Sequence, residues 1–375
     1  MALVFPIDRH GQDADSYVSS YSRVSSHLPS DFCYPFLLFS SLTFVALRFI
    51  IYDSLVQSGL YFKLAAISDP NSAPNPYRLP YTNIPSLDRL LSNLVVFFHT
   101  LFDLSYSPLL AALFPVIGAV ALVPYLEATR DRPPVVLRMP TAVGTAIQLA
   151  SMGVAMPVYA LLFVTTGTAY LRSSTAPSAN PPSRINQGNA EALLFGVLLG
   201  YVLPTSLMLF LVRPEVTALW QAFPLLTAIA MFGHKVIRPP SRYVQSGHTT
   251  VLVTLVLSFV LSALLHVVYV WPILTDSAAL QTMFVPVGPL DPAASSVDDG
   301  VLEFIKWDLI FGAGSVVLST FWMVDGMFAL VGILLWYGIA TIVFGPAAAI
   351  IGVFLWRERR LNGQPQAGKI AQKME

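Results

Sequence analysis

The stretch Phe304-Ile305-Lys306-Trp307-Asp308, continuing through Leu309-Ile310-Phe311-Gly312 to Trp322, sets the terms for the whole chain. It has the apolar run of a membrane-spanning helix, yet a carboxylate stands beside a tryptophan near one end. At about 100° per residue, Asp308, Gly312, Ser315, Ser319 and Trp322 fall within about 40° of one line. That line is small and polar and ends in an indole, while the other positions are mostly Leu, Ile, Val and Phe. An ionisable group in lipid costs about 2.5–3.5 kcal/mol on insertion scales, so it faces a cavity or a partner. Two readings are open. Asp308 is a buried, hydrogen-bonded residue that fixes helix packing, or it is a protonated acid facing an apolar, aromatic-lined pocket and ready to give up its proton.

The surroundings fit a helix of this kind. The 375 residues are 55% hydrophobic and only 11% charged, with a mean hydropathy of +0.65. Such values predict an all-α, polytopic transmembrane helix bundle, not a soluble domain. Twenty-one basic residues against 21 acidic ones argue against a nucleic-acid partner. The lone Cys33 excludes an internal disulfide and a cysteine-based metal cluster. Residues 1–32 are polar, with Asp8, Asp13, Asp15 and Asp31, and lack the basic start and short apolar core of a signal peptide. The domain reading is a polar tail over 1–32, one bundle over 33–356 and a basic tail over 357–375, which faces the cytosol by its charge.

Outward from Asp308, about seven or eight spans are predicted. The first is Pro35 to Val56, with Arg48 past its middle, either snorkelling or meeting a carboxylate. Residues 63–89, rich in Pro, Asn and Tyr, read as an ordered cap. Leu90 to Leu104 reads as an amphipathic piece ahead of a span from Pro108 to Leu126. Glu127, Arg130, Asp131 and Arg132 read as a solvated loop. Further spans are predicted at Thr141–Thr165, Ala190–Val212, Thr249–Val270 and Phe328–Trp356, the last interrupted by Gly345-Pro346. Ser173 to Gly188 is a proline-containing linker, and Ala218 to Gly233 is a short helix, spanning or interfacial. Residues 272–303 read as an acidic loop with Asp298, Asp299 and Glu303. The basic loop at 234–242 and the basic tail both favour the cytosol, but three spans between them place them on opposite sides.

Several chemistries lack their signatures. Paired aspartate-rich motifs for magnesium and a diphosphate are missing, as are a phosphate-cradling Gly-rich loop and a serine nucleophile elbow. Six histidines are scattered without ligand spacing. What remains is intramembrane carboxylates among 24 Phe, 15 Tyr and 6 Trp, a combination suited to proton-initiated carbocation chemistry on a lipophilic substrate. A desolvated carboxylic acid stays protonated at neutral pH, aromatic faces stabilise cations without capturing them, and a dry cavity protects the intermediate. Asp308 is the candidate acid. Glu191, sharing a face with Phe195, Leu198, Val202 and Thr205, is its candidate partner or terminating base, or simply a carboxylate at a helix N-terminus. His99 and Asp103, four residues apart on one helix face, follow as an acid–base couple or a structural pair. Trp307, Trp322, Phe195, Tyr201 and Trp220 are the candidates for shaping the substrate and stabilising cations. A lone His266 on an apolar helix reads as a packing residue.

Pro76-Tyr77-Arg78-Leu79-Pro80-Tyr81 leading to Leu87-Asp88 resembles one family, as do Leu199-Gly200-Tyr201-Val202-Leu203-Pro204-Thr205, Trp220-Gln221-Ala222-Phe223-Pro224 and Lys306-Trp307-Asp308. This is the group of larger fungal integral-membrane terpene cyclases of meroterpenoid and indole-diterpene pathways, such as those of ascochlorin and ascofuranone biosynthesis. The resemblance implies cyclisation of a prenylated aromatic or indole compound carrying a terminal epoxide, without a metal or cofactor, in the endoplasmic reticulum membrane. The rival readings are a proton-coupled transporter of a hydrophobic metabolite, another lipid-modifying enzyme such as an acyltransferase using His266, and a structural membrane subunit.

Overall fold

Helices follow one another over residues 28–69, 71–171 and 183–362, the part of the chain that this computed structural model describes. The first 27 residues of the predicted tail, most of the Pro-rich linker and the end of the basic tail lie outside it. Among the described residues the all-α prediction holds, and five helices are long and apolar enough to cross a membrane. These are Cys33–Gln57, Leu104–Ala128, Gln187–Leu211, His248–Ile273 and Met327–Phe344, with Pro214–Trp220 and Phe223–Ile237 a sixth if that bent pair is one span.

α1 (Leu28–Ala46) runs on as a π-helical stretch, Leu47–Gln57. The wider turn sets residue i beside i+5. Arg48 accordingly donates to the buried Asp53 carboxylate, and the Ser54 hydroxyl reaches the Phe49 carbonyl at 2.7 Å. Arg48 therefore takes the carboxylate rather than only snorkelling. α2 (Leu60–Ser68) occupies the start of the predicted 63–89 loop. The remainder is ordered by the Arg78 guanidinium on the Ile67 and Ala73 carbonyls. α3 (Pro85–His99) is amphipathic as predicted, burying Val95, Val96, Phe97 and Phe98 while exposing Leu87 and Leu90. α4 (Ser107–Ala128) is buried along most of its length.

The predicted Thr141–Thr165 span is two helices, α5 (Pro140–Ala150) and α6 (Met152–Thr165), broken at Ser151. Both outer ends come back to one place. Arg130 donates to Glu127 at 2.7 Å, while Arg357 donates to Glu127 at 2.6 Å and to the Thr168 carbonyl at 2.6 Å. The chain that leaves Arg130 is thus beside it again at Thr168, so α5 and α6 enter and leave on the same side. The same bonds overturn the solvated reading of Glu127 and Arg130, which are 1% and 3% exposed. With Arg357 and Glu358 they form a buried set of two anions and two cations. The close pairing offsets a desolvation cost of several kcal/mol per ion. It also holds the Arg130 guanidinium pKa above its usual value despite burial, through Glu127 and Glu358.

α7 (Gln187–Phe195) passes through a π-helical turn, Gly196–Val202, into α8 (Leu203–Leu211). α9 (Pro214–Trp220) and α10 (Phe223–Ile237) return, bent by 65°. α11 (His248–Tyr269) follows, then α12 (Ser277–Phe284) and α13 (Val297–Thr320). The predicted Phe328–Trp356 span is again two helices, α14 (Met327–Phe344) and α15 (Pro346–Asn362), reversing at Gly345. Gly345 adopts φ +88°, where a Cβ would also stand 2.8 Å from the His266 ring. The carbonyls freed at the end of α14 are taken by α11 and its exit: His266 Nε2 bonds Ile342 O and Trp271 Nε1 donates to Val343 O, both at 3.0 Å. His266 is thus a packing residue, as read from its sequence setting.

The reversal resolves the charge conflict. Four long helices (α11, α13, α14 and α15), with the eight-residue α12 among them, separate the 238–247 loop from Arg359 and Arg360, and an even number of long helices returns the chain to its starting side. The contacts agree: Gln187 N–H donates to Gln245 O at 2.8 Å and Gly247 N–H to Ile185 O at 2.9 Å, and Arg130 bridges Ser183 O and Glu358.

Candidate active site

α13 begins earlier than the acidic-loop reading allowed. Ser296 caps it through Asp299, each side chain taking the other's backbone N–H, a reciprocal box that satisfies two donors at the helix start. Glu303 therefore lies inside the helix and is 2% exposed. Going round α13 from Asp308, Phe304 and Phe311 lie about 40–60° away, Trp307 about 100° and Ile310 about 160°. Asp308 and Phe311 are buried at 9% and 7% exposed, Phe304 and Trp307 are partly buried, and Ile310, farthest round, is 45% exposed.

Asp308 points inward, onto the N-terminus of α6. Its Oδ1 accepts the Gly153 N–H at 2.5 Å, and the Ser151 hydroxyl and Met152 N–H also hydrogen-bond the carboxyl group. The first N–H groups of a helix have no partner within it and stand at the positive end of its dipole. Asp308, from another helix, supplies that partner. To aim these donors, Ser151 takes φ 93° and ψ 153°, a region occupied almost only by glycine. Such strain costs about 1–3 kcal/mol and persists where surrounding contacts enforce it, often at functional sites. Gly153 leaves the room: a Cβ there would lie 2.5 Å from Ile50, 3.0 Å from Phe311 and 3.1 Å from Asp308 Oδ1.

Beside the carboxyl, Phe49 of the π-helical stretch stacks on Trp307 at 4.4 Å and 23°. Phe311 lies 5.8 Å from Trp307 and 6.2 Å from Phe49. Trp307 Nε1 donates to Glu303 Oε1 at 3.0 Å, and Glu303 also accepts the Val287 and Gly288 N–H groups at 3.1 and 2.9 Å. Asp308, Trp307, Phe49 and Phe311 thus meet at one seam between α13, the π-helical stretch and the break at Ser151.

The other sequence candidates stand elsewhere. Glu191 is bound by Arg238 at 2.6 and 3.1 Å, with Gln187 at 2.9 Å and His234 at 3.2 Å, a set that shares no residue with the surroundings of Asp308. Phe195 stacks on His234 at 4.6 Å, and the π-helical turn after it rotates the predicted Glu191–Thr205 face. The His99–Asp103 pair does not form, because α3 ends at His99 and a tighter turn, Thr100–Phe102, intervenes. His99 instead meets Thr217 Oγ1 at 3.0 Å, and burial lowers its pKa. Asp103 is exposed and bonded to Ser105, which holds its carboxyl below the ordinary range. Trp322 packs on Phe39 at 5.7 Å. Tyr201 and Trp220 belong to a separate aromatic core with Phe98, Phe114 and Phe223, in which the fully buried Trp220 donates to Thr205 at 2.9 Å. A cavity of about 280 Å³ opens between α11, α14 and α15, lined by Val256, Phe259, Trp336, Gly352, Leu355, Trp356 and Arg359; it has no residue in common with the seam. Among the described residues no group of three or more His, Cys, Asp or Glu could hold a metal ion.

Sequence reasoning missed Ser151, Gly153, Phe49 and Glu303. Only the small residues of Ser151-Met152-Gly153, inside an otherwise apolar run, hinted at a break.

An apolar helical bundle that holds a buried carboxyl against stacked aromatic rings has relatives of one class. The chain is 26% identical over 329 residues to terpene cyclase janA of Penicillium janthinellum, covering 80% of this chain and 88% of the relative. It is 25% identical over 293 residues to terpene cyclase ctvD of Aspergillus terreus, covering 72% and 83%. To terpene cyclase ascI of Acremonium egyptiacum it is 28% identical over 257 residues, covering 62% and 64%. These relatives put the chain in the terpene cyclase class. A CtvD domain matches residues 34–361, and the chain belongs to that family. No solved structure matches it.

Proposed function

We propose that the chain is a membrane-bound cyclase that protonates a terminal epoxide on a prenylated aromatic or indole substrate, with Asp308 as the acid. The observation that carries this reading is the seat of Asp308: a buried carboxyl, gripped by the first N–H groups of α6, next to Trp307, Phe49 and Phe311. A neutral acid accepts those bonds at its carbonyl oxygen and keeps its O–H for the substrate. The protonated epoxide opens by breaking its C–O bond at the more substituted carbon. Each chain alkene then gives its π pair to the cation to form a ring bond. The last cation loses a neighbouring proton or is captured by an internal hydroxyl that loses its own, and the proton goes to the Asp308 carboxylate or to another base. Product and substrate have equal mass.

The gradient of exposure from Ile310 through Trp307 and Phe311 to Asp308 supports entry from the lipid side, between α13 and the π-helical stretch. The seam is closely packed, so Phe49 and Ile50 move aside to admit the chain. We place the enzyme in the endoplasmic reticulum, with lipid as solvent for the substrate. The transporter reading is the less favoured, because the relatives are named as cyclases. The test uses microsomes from a heterologous host, fed an epoxidised prenyl aromatic in the presence of EDTA. Wild type forms an isomer of unchanged mass, while Asp308→Asn, inserted at an equal level, loses at least about 100-fold in turnover, within the range for a positioned proton donor. Wild-type turnover by that variant ends the assignment, and loss of wild-type activity in EDTA ends the metal-free mechanism.

A further inference from the structure

We propose that Glu303 is a positioning residue of the cyclisation, its buried carboxylate fixing the Trp307 indole beside Asp308 and raising the electron density of the ring that faces the cation. This rests on the reading of Asp308 given above and concerns a group outside it. Four observations converge on Glu303. It lies one helical turn before Trp307 and is 2% exposed, so its carboxylate is desolvated. Its Oε1 receives the indole N–H at 3.0 Å. The same carboxylate takes the Val287 and Gly288 N–H groups, with Val287 N–H at 3.1 Å from both oxygens, which fastens the 285–288 segment over it and closes it off from water. Phe49 covers one face of the indole at 4.4 Å and Phe311 lies 5.8 Å away, so the substrate meets the ring on the face that Phe49 gives up when it moves aside.

The consequence follows from the chemistry of indole. A carboxylate bonded to Nε1–H withdraws the proton toward itself and pushes electron density into the ring. Cation–π attraction depends on that density and is strongest for tryptophan, and a charge-assisted bond in a low-dielectric setting polarises its donor more than a neutral one does. Phe49 and Phe311 lack such a partner, so Trp307 is the ring at the seam whose π face is electrically tuned. The role therefore lies after epoxide opening, in how far the cation travels before it is quenched.

Glu303→Gln keeps an acceptor for the indole and removes the charge. In native-lipid membranes, substrate consumption by this variant stays within about threefold of wild type. Its fully cyclised share of product falls at least about fivefold, replaced by isomers quenched before the last ring. Trp307→Phe shifts the partition the same way, and adding Glu303→Gln to it changes nothing more. The proposal is overturned if Glu303→Gln lowers turnover at an unchanged product ratio, or if the two effects add. A substrate-free measurement decides the matter even where Glu303→Gln fails to accumulate. The wild-type-minus-Trp307→Phe ultraviolet resonance Raman difference spectrum reports the Trp307 N–H, and a band at the position of a strongly bonded indole supports the tuning while a free-indole position ends it. Failure of Asp308 as acid shows instead as undiminished consumption by Asp308→Asn, whatever the Raman band.

Discussion

Gly153→Ala puts the seat of Asp308 under a defined load. The added methyl would stand 2.5 Å from Ile50 Cδ1, 3.0 Å from Phe311 Cβ and 3.1 Å from Asp308 Oδ1. Ile50 Cδ1 is the end of a flexible side chain and can turn away, whereas Phe311 Cβ is fixed to the backbone of α13 and cannot. Relief therefore pushes α6 away from α13 and lengthens the 2.5 Å bond from Gly153 N–H to Asp308. Overpacking of this kind costs about 1–3 kcal/mol, which lowers the thermal midpoint by several degrees. Misplacing a catalytic group by about 1 Å costs on the order of 100-fold, so turnover falls by about 10- to 100-fold. Ile50→Val deletes the nearest clashing atom. In the double variant the midpoint returns most of the way, while turnover recovers only in part, because the methyl still presses on the carboxyl. Thermal unfolding in detergent and cyclase turnover in microsomes, measured on the same preparations, separate the two effects. Wild-type turnover and midpoint for Gly153→Ala would refute the claim that the α6 N-terminus is a rigid seat for the acid.

Three further outcomes follow from the fold. Glu127→Gln leaves the buried Arg130 and Arg357 guanidiniums with Glu358 as their one remaining anion, and breaking such a buried set costs about 3–5 kcal/mol; a thermal midpoint in detergent equal to wild type would show that the four charges do not lock the bundle. Single cysteines at Arg242 and Arg359, in a Cys33→Ser background, react with an impermeant maleimide from the same side of sealed microsomes, and opposite-side labelling refutes the reversal at Gly345. Burial lowers the His99 pKa, so its folded form binds a proton less readily than the unfolded chain. The stability it contributes is complete above the unfolded value of about 6.5 and is lost as pH falls below that value toward the lower folded one. His99→Gln, which keeps a polar partner for Thr217, flattens the fall of the midpoint as pH drops below about 6.5, and an unchanged profile argues against it.

The helices that could be read from sequence are those whose apolar run ends in local signals. α4 and α11 fall where hydropathy puts them, and the small line Gly312-Ser315-Ser319 is a buried face of α13. Gly312 has no room for a side chain, since a Cβ would meet Met152 at 2.5 Å. The misreadings share a cause. Glu127 and Arg130 sit in a run of charges that locally means water, and the partner that buries Glu127 is Arg357, 230 residues away. Thr141–Thr165 has the length of one span, and nothing at Ser151 announces a φ of 93°. That conformation is held by Asp308, 155 residues from Gly153. Helical period reports which face a residue occupies, not what the face will meet. Asp308 could therefore be placed on a small, inward line without revealing whether that line was packing or site. The structure shows the packing: the line lies against α6, and where it ends, the unpaired N–H groups of that helix take Asp308 as their acceptor. A neutral Asn could accept a bond there and preserve the packing, but it has no acidic proton to give. The difference between Asp308 and Asn at one unchanged seat is thus the narrowest statement of what the chemistry adds to the fold.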